Sequence, residues 1–152
     1  KNRMRNAVAV HIPFEGFGNA SAQVIDNPDA SGINTSGRVV EFVKANGSET
    51  WGGVFFDMDN PITFAGGEKV RMKVWSPKAG ADVLLKFENL ADGDIFTELS
   101  VPTTVENEWE ILEFDFTGVD ASNDYQRVVL FFDFGVNGTG EAYYFDDLEL
   151  AN

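Results

Sequence analysis

In this chain of 152 residues, the side chains best equipped for chemistry crowd into one stretch, Lys69–Asn89, KVRMKVWSPKAGADVLLKFEN. Val70, Met72 and Val74 alternate with Arg71, Lys73 and Trp75. Beyond Ser76–Gly80, Val83, Leu85 and Phe87 alternate with Leu84, Lys86 and Glu88. A period of two puts each set on one face of a pleated strand. The stretch therefore reads as two strands and a turn, paired antiparallel. The register centred on the turn sets Trp75 against Leu84, Lys73 against Lys86 and Arg71 against Glu88. Arg71 beside Glu88 is favourable and Lys73 beside Lys86 is not. Like charges held together without structural gain suggest a face kept for a ligand, although the same face reads equally well as ordinary solvated surface.

Asp133 and Phe131, alternating with Leu130, Phe132 and Phe134, are expected to join that face, and Trp51 joins it if its strand borders the same sheet. Aromatic faces pack on the C–H patches of a sugar, and Lys, Arg, Asp and Glu hydrogen-bond its hydroxyls. The candidate ligand-binding set is thus Trp75, Lys73, Arg71, Lys86, Glu88, Trp51 and Asp133. Trp109 is expected to pack structurally at a sheet edge.

Two further groups carry oxygen. Glu15, Asn34, Ser36 and the Asp146-Asp147 pair would supply hard ligands of the kind calcium takes, if the chain termini meet in space. Glu113-Phe-Asp115-Phe-Thr-Gly118 begins like the E-x-D-x-x-E strand of β-glucanases, with Gly118 where the second catalytic Glu belongs. A glycosidase needs two carboxylates across one bond, so no catalytic residue is assigned and the chain is read as non-enzymatic.

The elements that must position these groups are strands. Length and 43% hydrophobic content, with 14 Phe, suit one domain (1–152) with a real core. Residues 1–10 read as a loose lead-in or an edge strand. Short strands follow at His11–Glu15, broken by Gly16 and Gly18, and at Ala22–Asp26, Val39–Ala45, Trp51–Met58 and Ile62–Phe64. After the Lys69–Asn89 pair come Ile95–Leu99, Glu108–Phe116, Arg127–Phe134 and Glu141–Leu150. The paired glycines at 52 and 53 mark a bulge or a close approach, and Ala121–Tyr125 reads as one turn of helix. About ten strands with Gly, Pro, Asn and Asp between them mean an all-β sandwich or barrel.

With 25 acidic against 11 basic residues, the net charge of −14 disfavours nucleic acid and anionic membranes. No apolar run reaches the length of a membrane span, and no signal peptide is read. Without Cys there is no disulfide or thiolate chemistry, and the lone His11 weakens any His-based metal cluster or triad. Asn19, Asn34, Asn46 and Asn137 begin Asn-x-Ser/Thr sequons and are read as surface-loop positions.

The blocks VIDNPDASGINTSGRVVEFVKA, WGGVFF, KVRMKVWSPKAGADVLLKFEN, EWEILEFDFTG and YYFDDLEL, in that order, resemble jelly-roll carbohydrate-binding modules of the family 4, 16 and 22 type. The likeness covers Phe14 to Leu150. It is nearest to modules attached to laminarinases (β-1,3-glucanases) and glycan-uptake proteins of marine Bacteroidetes. The resemblance implies a two-sheet antiparallel β-sandwich that is non-catalytic and extracellular or at the cell surface. It implies a polysaccharide partner, β-glucan or laminarin first, a groove on a sheet or at its loop edge, and a catalytic or other domain in a longer parent chain. Carried over, groove positions are Trp75, Lys73, Lys86, Glu88 and Trp51. A structural calcium ion is implied at Glu15, Asn34 or a backbone carbonyl beside it, and Asp146-Asp147.

Overall fold

A computed structural model of the chain describes residues 13–62, 64 and 69–151. The lead-in at 1–10 and His11 lie outside the described residues. Ten strands are described: β1 (Glu15–Phe17), β2 (Ala20–Asp26), β3 (Arg38–Lys44), β4 (Gly53–Ile62), β5 (Lys69–Ser76), β6 (Asp82–Glu88), β7 (Phe96–Pro102), β8 (Glu108–Asp115), β9 (Tyr125–Phe132) and β10 (Ala142–Ala151). They form two five-stranded sheets, ordered β1-β4-β9-β6-β7 and β2-β3-β10-β5-β8. Every paired strand is antiparallel. The molecule is an all-β, two-sheet antiparallel sandwich of the jelly-roll kind, and the sheets are named below by their central strands, β9 and β10.

The inward residues of the two sheets close one core. Around one end, Phe42, Phe132, Tyr143 and Phe145 meet with ring centroids 4.8 to 6.3 Å apart. At the other, Phe64, Phe87, Phe116 and Tyr125 meet at 5.2 to 5.9 Å. Such offset and edge-on contacts add to the burial of large apolar area.

The expected pairing across Ser76–Gly80 is not what forms. β5 pairs with β10 and β8, whereas β6 pairs with β9 and β7. The chain crosses from one sheet to the other at this turn. Val70, Met72 and Val74 then face Val83, Leu85 and Phe87 across the core, all with no exposure. The crossing is tied to the end of β7. The Thr103 hydroxyl donates to the Lys78 carbonyl at 2.8 Å and accepts from the Ala81 amide, and the Gly80 amide donates to the Thr103 carbonyl. Trp75, Lys73 and Arg71 therefore lie opposite Trp109, Ile111 and Glu113 rather than Leu84, Lys86 and Glu88.

Three smaller expectations also change. β4 continues through Asp59-Asn60-Pro61 to Ile62, with the register slipping between Asp57 and Ile62. Residues 121–124 form a turn, not a helix, where Asp120 accepts from the Ser122 amide and hydroxyl. Gly16 does not break β1. A β-carbon there would stand 2.0 Å from the Ala20 carbonyl oxygen, so only glycine lets β1 run past β2.

Candidate functional site

On the outer face of the β9 sheet, side chains fall into cross-strand rows. One row runs Asp57, Arg127, Glu88, Phe96, and the next Glu15, Phe55, Val129, Lys86, Glu98. In the row beyond, Phe17 faces Gly53 and Phe131 faces Leu84. Alternation in β4, β6 and β9 gives these strands apolar residues on both faces, so the outer face carries its own cluster. Leu84, Val129 and Phe131 are buried there beneath Phe17 and Phe55.

An aromatic strip crosses this face. Trp51, in the turn before β4, stacks on Phe17 at 6.3 Å with 15° between the planes. Phe17 meets Phe131 edge-on at 5.7 Å, and Phe131 meets Phe134 edge-on at 5.2 Å. The two ends are open: Trp51 is 50% exposed and Phe134 39%. Gly53 makes the closure possible. A β-carbon there would come within 2.9 Å of both the Phe17 and Phe131 rings, so the strip closes over the missing side chain. This is the close approach expected of the paired glycines.

Charged groups border the strip as internal pairs. The Arg127 guanidinium lies 4.2 Å over the Phe55 ring and pairs with both Asp57 carboxylate oxygens, at 2.7 and 3.1 Å. Lys86 lies 4.4 Å over the Phe96 ring and 3.0 Å from the Glu88 carboxylate. Each cation sits over an aromatic ring and is paired with a carboxylate. The outer face thus offers an apolar strip beside a fixed array of donors and acceptors, the combination a pyranose ring can use.

The seven expected ligand-binding residues are divided. Lys86, Glu88 and Trp51 share this face. Trp75, Lys73 and Arg71 lie on the outer face of the β10 sheet, on the far side of the molecule. Trp75 is not in the interior, but it is not an open platform either. Its indole N–H donates to Asp29 at 3.0 Å, and its ring lies against Tyr144 with centroids 5.0 Å apart. Trp109, 6% exposed, donates to the Asp29 carbonyl at 2.7 Å. Both indoles thus anchor the β2–β3 loop. Lys73 pairs with Asp147 at 2.8 Å and Arg71 with Glu113 at 2.8 Å. Asp133 does not face solvent: it is 4% exposed, and its carboxylate pairs with Lys78.

Glu113 and Asp115 also lie on the outer face of the β10 sheet. A hydrogen bond from Arg71 holds Glu113 below the usual carboxylate range, and hydrogen bonds from Thr117 do the same for Asp115. A general acid needs the opposite shift.

The expected calcium ligands do not form one set. Glu15 stands in the Phe55 row on the β9 sheet, while Asp146 and Asp147 belong to the β10 sheet. Asn34 is a loop residue but only 1% exposed, so its sequon is not on the surface. Its side-chain oxygen lies 2.7 Å from the Ser36 hydroxyl, which lies 2.5 Å from an Asp146 carboxylate oxygen. The Arg38 carbonyl lies 3.4 Å from the same hydroxyl, so one hydroxyl proton serves three acceptors and the crowded hard oxygens are a donor chemistry that fits calcium. Among the described residues, no group of three or more His, Cys, Asp or Glu is gathered for a metal.

Phe17, Phe55, Phe134, Arg127 and Asp57 were missed by sequence reasoning. The signal was present in RVVLFFDF and WGGVFF, where Phe131 and Phe55 occupy the phase opposite to the core residues. In a Phe-rich chain that phase looks like a doubly buried strand.

No protein-family model and no curated protein matches the chain. Solved structures with the same fold do. One is a carbohydrate-binding module of the β-sandwich superfamily, described for its promiscuous specificity. It is 12% identical with a TM-score of 0.64, over 100% of this chain and 61% of that one. Another is the family 11 module of Clostridium thermocellum in complex with a β-1,3-1,4-mixed-linked tetrasaccharide, 10% identical, TM-score 0.65, over 99% and 95%. A third holds the CBM22-1 and GH10 modules of a Clostridium thermocellum endo-1,4-β-D-xylanase complexed with xylohexaose. It is 11% identical with a TM-score of 0.62, over 100% of this chain and 29% of that one. At such identity they establish the fold alone: this chain shares the two-sheet β-sandwich architecture of those structures.

Proposed function

We propose that this chain is a non-catalytic carbohydrate-binding module, and that it holds a neutral polysaccharide, β-1,3-glucan of the laminarin type first, on the outer face of the β9 sheet. The observation that carries the reading is the strip Trp51, Phe17, Phe131, Phe134, open at both ends and bordered by cations fixed on aromatic rings. Stacking would select the flat face of a sugar, and Asp57, Arg127, Lys86 and Glu88 would take its hydroxyls. Neutrality follows from charge: the net −14 and the additional carboxylates Glu15 and Glu98 on this face repel an acidic glycan. The choice of laminarin rests on the sequence resemblance to laminarinase-attached modules. An extracellular or cell-surface setting, beside a catalytic domain in a longer parent, fits the same reading.

Affinity electrophoresis and calorimetry against a panel of neutral and acidic polysaccharides test it. Retardation by laminarin that Trp51→Ala weakens is expected. If no glycan retards the wild type, the reading fails. A second reading is a protein-interaction sandwich without a glycan groove. The exposed apolar side chains of Trp51, Phe134 and Val136 favour it, and light scattering showing self-association through that strip would support it.

A structural calcium ion belongs to the same proposal, with a smaller donor set than the resemblance implied. Asn34, Ser36 and Asp146 would hold it, without Glu15, and Lys73 already neutralises Asp147. The ion would clamp the β2–β3 loop to β10. A ligand bound only by the folded state raises the melting temperature, so chelator should lower it and Ser36→Ala should abolish that response. An unchanged melt removes the ion from the account.

A further inference from the structure

We infer that Lys44 is a positioning residue for the ligand face: a buried ammonium that fixes Trp51 and Phe134 relative to one another. This rests on the reading that those two aromatics contact the ligand. Lys44 ends β3 with its side chain pointing inward and is 1% exposed. Its ammonium donates to the Asp133 carbonyl at 2.7 Å and to the Thr50 carbonyl at 3.3 Å. Those carbonyls immediately precede Phe134 and Trp51. One cation thus grips the backbone one residue before each open end of the strip.

Isolated burial of a lysine is unfavourable, and desolvation does lower its proton affinity, partly offset by Asp133 and Glu141. The charged groups facing it are Asp133, Glu141 and Lys78, and the Tyr143 hydroxyl lies beside Asp133 and Glu141. Asp133 holds a left-handed backbone at φ 54°, a conformation uncommon for a residue other than glycine. Its carboxylate is paired with Lys78 and its carbonyl with Lys44, so both ends of the residue are tied in that geometry. The two carbonyls keep other donors, the Gly135 amide on Thr50 and the Val136 amide on Asp133. Removing the ammonium therefore leaves neither carbonyl orphaned. The loops would stay formed and joined by Gly135 on Thr50, Gly47 on Gly138 and Asn137 on Ser48, and would lose the ammonium that holds both carbonyls at once.

Lys44→Met preserves length and removes the charge. Hydrogen exchange should quicken by about tenfold in 47–52 and 133–138 while β6 and β9 keep wild-type protection. Laminarin affinity should weaken by about fivefold or more, toward that of Trp51→Ala. Unchanged exchange in the two loops, or a uniform rise across the chain, overturns the assignment. In the wild type, the Gly135 and Val136 amides should exchange more slowly than those of the exposed turn at 91–94. If they do not, the anchor is absent, whether or not the variant folds. Should wild type bind no glycan of the panel, the functional reading fails, while the exchange data still decide what Lys44 does.

Discussion

Trp51 and Trp75 carry the same side chain into different surroundings. Trp51 has one face on Phe17 and half its surface in water, with no hydrogen bond required to hold it. Trp75 spends its N–H on Asp29 and one flank on Tyr144. Trp51→Ala should therefore cut glycan affinity by about tenfold, roughly 1.4 kcal/mol, with little change in stability. Trp75→Ala should leave affinity intact and lower stability by roughly 2–4 kcal/mol in urea unfolding, through lost packing and an unanchored loop. The reverse pattern would exchange their roles. Gly53→Ala is the sharper probe of the strip. Its methyl must displace the Phe17 and Phe131 rings and push on the Leu130 carbonyl of β9, so it should both destabilise the fold and weaken binding. Binding equal to wild type would mean that this closure does not matter to the ligand.

At the scale of elements, the strands were legible and their partners were not. Period-two alternation located β3, β5 and β8 through their one apolar face, and β6 through Val83, Leu85 and Phe87 set against Lys86 and Glu88. What alternation does not encode is which strand lies alongside. Val70, Met72 and Val74 need the same interior whether their strand pairs with β6 or faces it across the core. A turn such as Ser76–Gly80 serves a hairpin or a sheet crossing, and the contacts that tie this crossing come from Thr103, distant in sequence. Lys86, Glu88 and Trp51 were found as candidates because polar or exposed-looking residues stood out. Phe131 was placed on the face by its phase opposite Leu130 and Phe132, whereas Phe17 and Phe55 were hidden because an aromatic on an outer face looks like core. The crossing itself is testable. Thr103→Val removes the hydroxyl that serves the Lys78 carbonyl and the Ala81 amide, and should cost about 1–3 kcal/mol. Unchanged stability would deny that this contact fixes the turn.

Over the whole molecule, the two outer faces divide the work. The β10 sheet uses its charges on itself, in Arg71 with Glu113 and Lys73 with Asp147. Because Arg71 holds Glu113 below its ordinary range, the folded state binds fewer protons there than the unfolded chain. That contribution is complete above the ordinary carboxylate range and is lost as pH falls through the folded value. The acid limb of a urea-midpoint profile should therefore be shallower in Arg71→Ala than in wild type, and identical limbs would remove the pair from the account.

The β9 sheet keeps its aromatic strip open. The most direct measurement is calorimetric titration of laminarin into wild type, Trp51→Ala and Trp75→Ala at the same pH and salt. Saturable binding that Trp51→Ala weakens and Trp75→Ala leaves unchanged is the predicted result. Binding lost with Trp75 and kept without Trp51 would place the ligand on the opposite sheet and contradict the account.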